Sequence, residues 1–131
     1  MGAVGILLDT HALIWWLDDD PRLSRAARVA IADPESLVYV SAASAWEMAT
    51  KVRLGKLRDP GGAVPRLSQV LRDRALTALP VTVDHAVAAG GLSGPHRDPF
   101  DRMLIAQSRI EGLPVVTTDP VFTRYAVPVI W

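Results

Sequence analysis

The sequence predicts an α/β fold in which a central, mainly parallel sheet is covered by helices on both faces. Three observations lead there. Short continuous apolar runs, Gly5-Ile6-Leu7-Leu8, Leu37-Val38-Tyr39-Val40 and Val115-Val116, lack the alternation of half-exposed strands and read as strands buried on both sides. Segments with helical spacing separate them, so the two element types alternate along the chain. The 131 residues, 50% of them hydrophobic, suffice for one core but not two, so residues 1–131 are expected to form a single domain.

The first strand, residues 5–8, ends at Asp9, and apolar residues then recur at helical spacing from Thr10 to about Leu17. Asp20-Pro21 stops that helix, and Ser24 has the chemistry to cap a second one over 25–32. The strand at 37–40 leads into a helix over 42–54, with Gly55 suited to its end. A loop at Asp59-Pro60-Gly61-Gly62 is followed by a helix over 64–75, an extended segment over 76–81 and a short helix near 84–89. Gly90 to Pro95 reads as a glycine-rich turn. The strongest helix is predicted over 99–111, with Pro99 at its start and Gly112 at its stop. A strand over 115–118 ends at Asp119, and a last strand is expected over 127–131.

Composition narrows the function. No stretch approaches the roughly 20 apolar residues of a membrane span, and no basic leader precedes the first apolar run, so a cytoplasmic protein is expected. The absence of cysteine excludes disulfides and thiolate metal sites and suits a reducing compartment. Lysine and arginine, 14 together, equal aspartate and glutamate, also 14. Any polyanionic partner must therefore be held by a local patch or by metal ions rather than by net charge.

The acids carry the chemistry. Ligands of open α/β sheets bind beyond the carboxyl ends of the strands, and Asp9 and Asp119 each follow a strand directly. Glu47 lies about two turns beyond the second strand, from where a long side chain can reach back to the same edge. Asp98 and Asp101 open the helix before the strand of Asp119; whether that start reaches the edge depends on topology, which spacing does not give. Each acid also has a plain structural role. Asp9, Asp98 and Asp119 stand where helix caps stand, the latter two before a proline, and Ser44-Ala45-Trp46-Glu47 has capping-box spacing. Several carboxylates meeting at one edge would repel one another, and hard divalent cations relieve such repulsion.

Leu7-Leu8-Asp9-Thr10-His11, Ser41 through Trp46-Glu47-Met48, His96-Arg97-Asp98-Pro99-Phe100-Asp101-Arg102 with Ile105-Ala106-Gln107, and Val116-Thr117-Thr118-Asp119 together resemble the PIN-domain ribonucleases. Their order, spacing and the chain length resemble the VapC-type toxins of bacterial toxin–antitoxin pairs. The resemblance spans essentially the whole chain and implies a three-layer α/β/α PIN-like fold. It further implies an acidic pocket that binds Mg2+ or Mn2+ and cuts RNA, transfer RNA or another structured RNA being the expected class. By the same resemblance Asp9, Glu47, Asp101 and Asp119 form the catalytic quartet, and Asp9, Asp101, Asp119 and the extra acid Asp98 are the candidate metal ligands. A homodimer and a small VapB-like antitoxin that silences the site are the implied partners.

Other residues admit two readings. Lys51, Arg53, Lys56 and Arg58 suit a helix C-terminus or a phosphate-contacting patch; Arg97 and Arg102 could contact RNA or pair with the nearby acids. Thr10, Ser41 and Thr117 have hydroxyls near strand ends, able to serve a metal-bound water or an orphan backbone amide. His11, His85 and His96 share no zinc spacing and are expected at the surface or in local contacts. Trp15, Trp16, Trp46 and Trp131 are expected in the core; the first two are adjacent and point in different directions on a helix, which leaves one of them available to a partner surface. A signalling receiver domain would require an acidic pair after the first strand and a lysine after the fifth; Thr10 and His11 occupy the former place. An Asp-x-Asp phosphatase fails because residue 11 is histidine. A non-catalytic PIN-like binding module is the remaining alternative, but such a protein would be expected to lose acids, and this chain offers the full quartet.

Overall fold

A computed structural model describes residues 4–131. In chain order the elements are β1 (Val4–Leu8), α1 (Thr10–Leu17), α2 (Arg25–Ala32), β2 (Ser36–Ser41), α3 (Ala42–Arg53), α4 (Leu67–Asp73), β3 (Thr77–Leu79), α5 (Val83–Gly91), α6 (Pro99–Glu111), β4 (Val115–Val116), α7 (Pro120–Arg124) and β5 (Val129–Ile130), with 3-10 turns at Pro60–Gly62 and Val64–Arg66. The sheet order is β3-β2-β1-β4-β5 and every pairing is parallel.

Alternation along β1 divides the interior in two. Ile6 and Leu8 enter a core with Leu13, Ile31, Val38, Val40, Met48 and Leu71, supplied by β2 and by α1 to α4. Leu7 points the other way, to Leu104, Ile105, Val115 and Phe122 from α6, β4 and α7. A strand with both faces covered cannot afford polar residues on either, which is why β1 reads as an unbroken apolar run. The three-layer α/β/α architecture expected from the sequence is the observed one.

Boundaries moved where a local signal was overridden. The helix expected over 64–75 begins only at Leu67, because Pro65 and the non-helical Arg66 (φ −127°) confine the preceding residues to a 3-10 turn. Helix α5 continues through Gly90 and Gly91, which were expected in the turn. The last two strands are two residues each, so the expected spans over 115–118 and 127–131 shorten. The capping box lies at Thr82 and His85; Ser41, not Ser44, caps α3.

One tertiary expectation is corrected and a second is narrowed. Trp46 is 65% exposed rather than core, because Ala43, Ser44, Glu47 and Met48 turn the inward face of α3 away from it. It packs edge-on against Phe100, ring centroids 5.0 Å apart. His85, expected at the surface or in local contacts, is 1% exposed and takes the second of these places, with a burial that was not expected. Its Nδ1 accepts from the Thr82 amide at 3.0 Å and its Nε2 lies 2.9 Å from Glu111 Oε1, which compensates the buried ring.

Candidate active site

The strand order locates a crevice. The chain runs outward from β1 through β2 to β3, then returns to place β4 on the other side of β1. The order therefore reverses between β1 and β4, and Asp9 and Asp119 follow these two strands. Because α6 leads into the parallel strand β4, its N-terminus must lie at the carboxyl edge of the sheet. This is the topological fact that spacing alone could not supply, and it brings Asp98 and Asp101 to the same edge.

The capping reading holds for three of the acids. Asp9 Oδ1 accepts from the Ala12 amide at 2.7 Å, Asp98 Oδ1 from Phe100 and Asp101 at 2.9 and 3.1 Å, and Asp119 Oδ1 from Val121 at 3.0 Å. Each cap uses Oδ1, so the helix starts fix the three carboxyl groups at the sheet edge. Thr117 lies at the end of β4: its hydroxyl accepts from the Asp119 amide at 3.0 Å, and it acts on the Asp9 carboxyl to lower its pKa.

Glu47 is held differently. On the inward face of α3 and 5% exposed, it accepts from the Thr10 hydroxyl at 2.6 Å through Oε1 and from Lys51 Nζ at 2.8 Å through Oε2. The Ser44 hydroxyl lies 3.0 Å from that of Thr10, extending the network between α1 and α3. Asp101 Oδ2 is 2.9 Å from His96 Nε2.

These groups share one electrostatic environment. Burial raises the Asp9 carboxyl above its ordinary value, and the negative charge of Asp119 adds to the effect against the Thr117 and Ala12 hydrogen bonds. Asp101 is pushed up to about 6, first by burial and then by the charges of Asp98, Asp119 and Glu47, with the His96 bond opposing. Lys51 is raised, chiefly by its bond to Glu47 and further by Asp98 and Asp101, so it stands as a countercharge within the acidic group.

A consequence for the metal-free protein follows. A carboxyl group with a folded value near 6 and an ordinary value of 3.8 stabilises the fold fully only below about 3.8, and that contribution is lost as pH rises through 6. Asp101→Asn is expected to remove this part of the decline between pH 4 and 7. Paired thermal melts across that range, parent against variant in chelator, check it; parallel pH profiles would contradict it.

The donor set suits a hard divalent ion. Every candidate ligand is a carboxylate, and a cation would offset the charge that burial disfavours on Asp9 and Asp101. Among the described residues no three His, Asp or Glu side chains stand close enough to enclose an ion together. Asp9, Asp98, Asp101 and Asp119 therefore do not form a closed cage. The arrangement fits an ion held by one or two carboxylates, with water and substrate completing its shell, as magnesium usually is.

The basic residues separate into different roles. Lys51 is committed to Glu47. Arg102, for which RNA contact or pairing with an acid was expected, pairs with no acid among the described residues: its guanidinium donates to the carbonyls of Ala89 (3.0 Å), His96 (2.9 Å) and Leu92 (2.5 Å) and fastens the loop after α5 to α6. Arg53, Lys56 and Arg97 are exposed.

The family model for the PIN domain matches residues 6–128. The chain belongs to the PIN-domain family. This PIN domain is 34% identical over 119 residues to ribonuclease VapC22 of Mycobacterium tuberculosis, covering 87% of this chain and 86% of that protein. Its fold matches VapBC2 from Rickettsia felis, solved bound to a DNA fragment from its promoter, with TM-score 0.70, 14% identity and coverage of 96% of this chain and 97% of that one. It also matches VapC20 of M. tuberculosis, described as a sarcin-ricin loop cleaving toxin, with TM-score 0.65, 19% identity and coverage of 93% and 95%. The VapC-type assignment rests on the 34% relative; the structural likenesses carry the fold. No helix among the described residues is long and apolar enough to cross a membrane.

Proposed function

We propose that this PIN domain is a VapC-like, Mg2+-dependent endoribonuclease toxin. The observation that carries the reading is topological: Asp9 and Asp119 follow the two strands that flank the crevice between β1 and β4, α6 opens with Asp98 and Asp101 at the same edge, and Glu47 is tied by hydrogen bond to Thr10, the residue after Asp9. Asp9 and Asp101 are the principal ligands for the ion, with Asp119 and Asp98 beside them; Mn2+ suits the same oxygens. When bound, such an ion polarises the scissile phosphate and lowers the pKa of water. The chain's own residues supply position and charge balance. Thr117 accepts from the Asp119 amide and acts on the Asp9 carboxyl, His96 orients Asp101, and Thr10 with Lys51 holds both oxygens of Glu47. Exposed Arg53, Lys56 and Arg97 are available to RNA phosphates, whereas Arg102 is not. The test is total RNA incubated with the partner-free chain and Mg2+. Discrete cleavage that chelator abolishes is expected; cleavage that persists in chelator would overturn the reading.

Two partners belong to the same proposal. A small VapB-like antitoxin covers the site, as the relation to VapC proteins supports. The chain also pairs with itself through an apolar groove of about 460 Å3 lined by Trp46, Val81, Phe100 and Met103. Val83 and Val87, one turn apart on α5, which also lines the groove, are 79% and 71% exposed and add apolar surface of the kind that contact patches carry. Sedimentation is expected to give a dimer for the parent and a monomer for Val87→Asp, with the melting temperature of the subunit little changed; a monomeric parent would contradict this.

A further inference from the structure

A second cleft, about 520 Å3 in volume, lies between residues 93–96 and α7 and differs in character from the apolar groove. Gly94, His96, Arg109, Val121, Arg124 and Tyr125 line it. It adjoins the acidic group at two points. His96 is bonded to Asp101, and Asp119 caps the helix whose last residue is Arg124. With five residues, α7 is only about 7 Å long, so Arg124 stands within a nucleotide's length of Asp119.

The cleft wall is fixed by specific contacts. Arg109 donates to the Tyr125 carbonyl at 2.5 Å and lies over the Tyr125 ring, 5.8 Å from its centroid. Gly94 has φ +95°, and a Cβ there would come within 2.8 Å of the Tyr125 hydroxyl, so the loop can approach Tyr125 only as glycine. Arg124 is exposed and makes no hydrogen bond or ion pair among the described residues. One wall thus presents an aromatic ring and two guanidinium groups, one of them uncommitted.

Charge decides what such a cleft can receive. The chain has no net charge, and the acids at the crevice offer a polyanion no attraction before a metal binds. A strand of RNA needs local cations next to the acids. On the α3 side the adjoining groove is apolar; on the α7 side it carries Arg109 and Arg124. Guanidinium groups match phosphate oxygens bidentately and stack with bases and aromatic rings.

We propose that this cleft holds the nucleotide adjoining the scissile bond, with its phosphate at Arg124 and Arg109, so that RNA crosses the crevice and leaves over α7. The assignment rests on the ribonuclease reading and specifies where the substrate lies. It is tested by fluorescence anisotropy with a labelled single-stranded RNA, using the chain carrying Asp9→Asn to prevent cleavage. Arg124→Gln in that background is expected to weaken binding five- to ten-fold, and the slope of log affinity against log salt is expected to fall by about one. Arg109→Gln is expected to act alike. Arg72→Gln, the same charge change on α4, is the control and is expected to have neither effect. Equal affinity and slope in all three variants would overturn the proposal. Cleavage by the parent chain with Mg2+ is measured on the same RNA. Cleavage with indifferent arginines sinks the cleft alone; arginine-dependent binding without cleavage sinks the nuclease reading alone; absence of both binding and cleavage sinks both.

Discussion

Asp9→Asn is expected to reduce RNA cleavage by on the order of 100- to 1,000-fold while raising the melting temperature of the metal-free protein. The two effects have one cause. Asp9 is buried, and its ionised form is disfavoured by desolvation and by Asp119. Asparagine keeps the oxygen that caps α1 at Ala12, so the helix start is preserved. What is lost is the negative charge, which the fold tolerates at a cost and the proposed metal site would require. The size of the activity loss is that of removing one preorganised electrostatic contact from a water-poor site. Cleavage assays with Mg2+ and melts in chelator measure the two sides. A variant that loses activity because it unfolds would show a lower melting temperature, and an unchanged rate would remove Asp9 from the chemistry.

Lys51→Met is expected to lower the unfolding free energy by about 2 kcal/mol, and adding Glu47→Gln is expected to restore most of it without restoring cleavage. Removing one partner of a buried ion pair leaves an uncompensated charge and costs about 3–5 kcal/mol. The Lys51 side chain is 37% exposed, so solvent reduces that figure, whereas Glu47 remains enclosed. Glutamine in place of Glu47 removes the stranded charge and still accepts from Thr10. Urea unfolding of the parent, the single variant and the double variant measures the recovery. If the double variant is no more stable than Lys51→Met, the lysine acts through something other than the Glu47 charge.

Much of the fold was legible because β1 and β2 are buried on both faces and cannot carry polar residues within their runs. Asp9 and Asp119 were legible for the same reason, since each ends such a run. Asp98 and Asp101 were readable as a helix start, but their arrival at the crevice depends on α6 crossing back to β4, a long-range fact. The capping and catalytic readings of the acids looked like rivals in sequence, yet Asp9, Asp98 and Asp119 take up helix-cap positions within the acidic group. Glu47 was placed by reach alone; its partners Thr10 and Lys51 come from a separate helix and from one turn along α3.

The departures share a physical origin. Trp46 and His85 were judged by residue type, whereas their exposure is set by which helical face the neighbours turn inward. Arg102 is grouped with the basic residues by charge, but the carbonyls of Ala89 in α5 and of Leu92 and His96 in the loop after it need donors, and its guanidinium supplies them. Arg109 and Arg124 carry no motif at all. Only the packing of the 93–96 loop against α7 gives them a common cleft.

Ion binding by the acids is measured without reference to any RNA by Mn2+ titration followed by electron paramagnetic resonance. The parent chain should bind Mn2+ and release it to excess Mg2+, and Asp9→Asn and Asp101→Asn should each weaken binding at least ten-fold. Folded variants that take up Mn2+ as tightly as the parent would contradict the account.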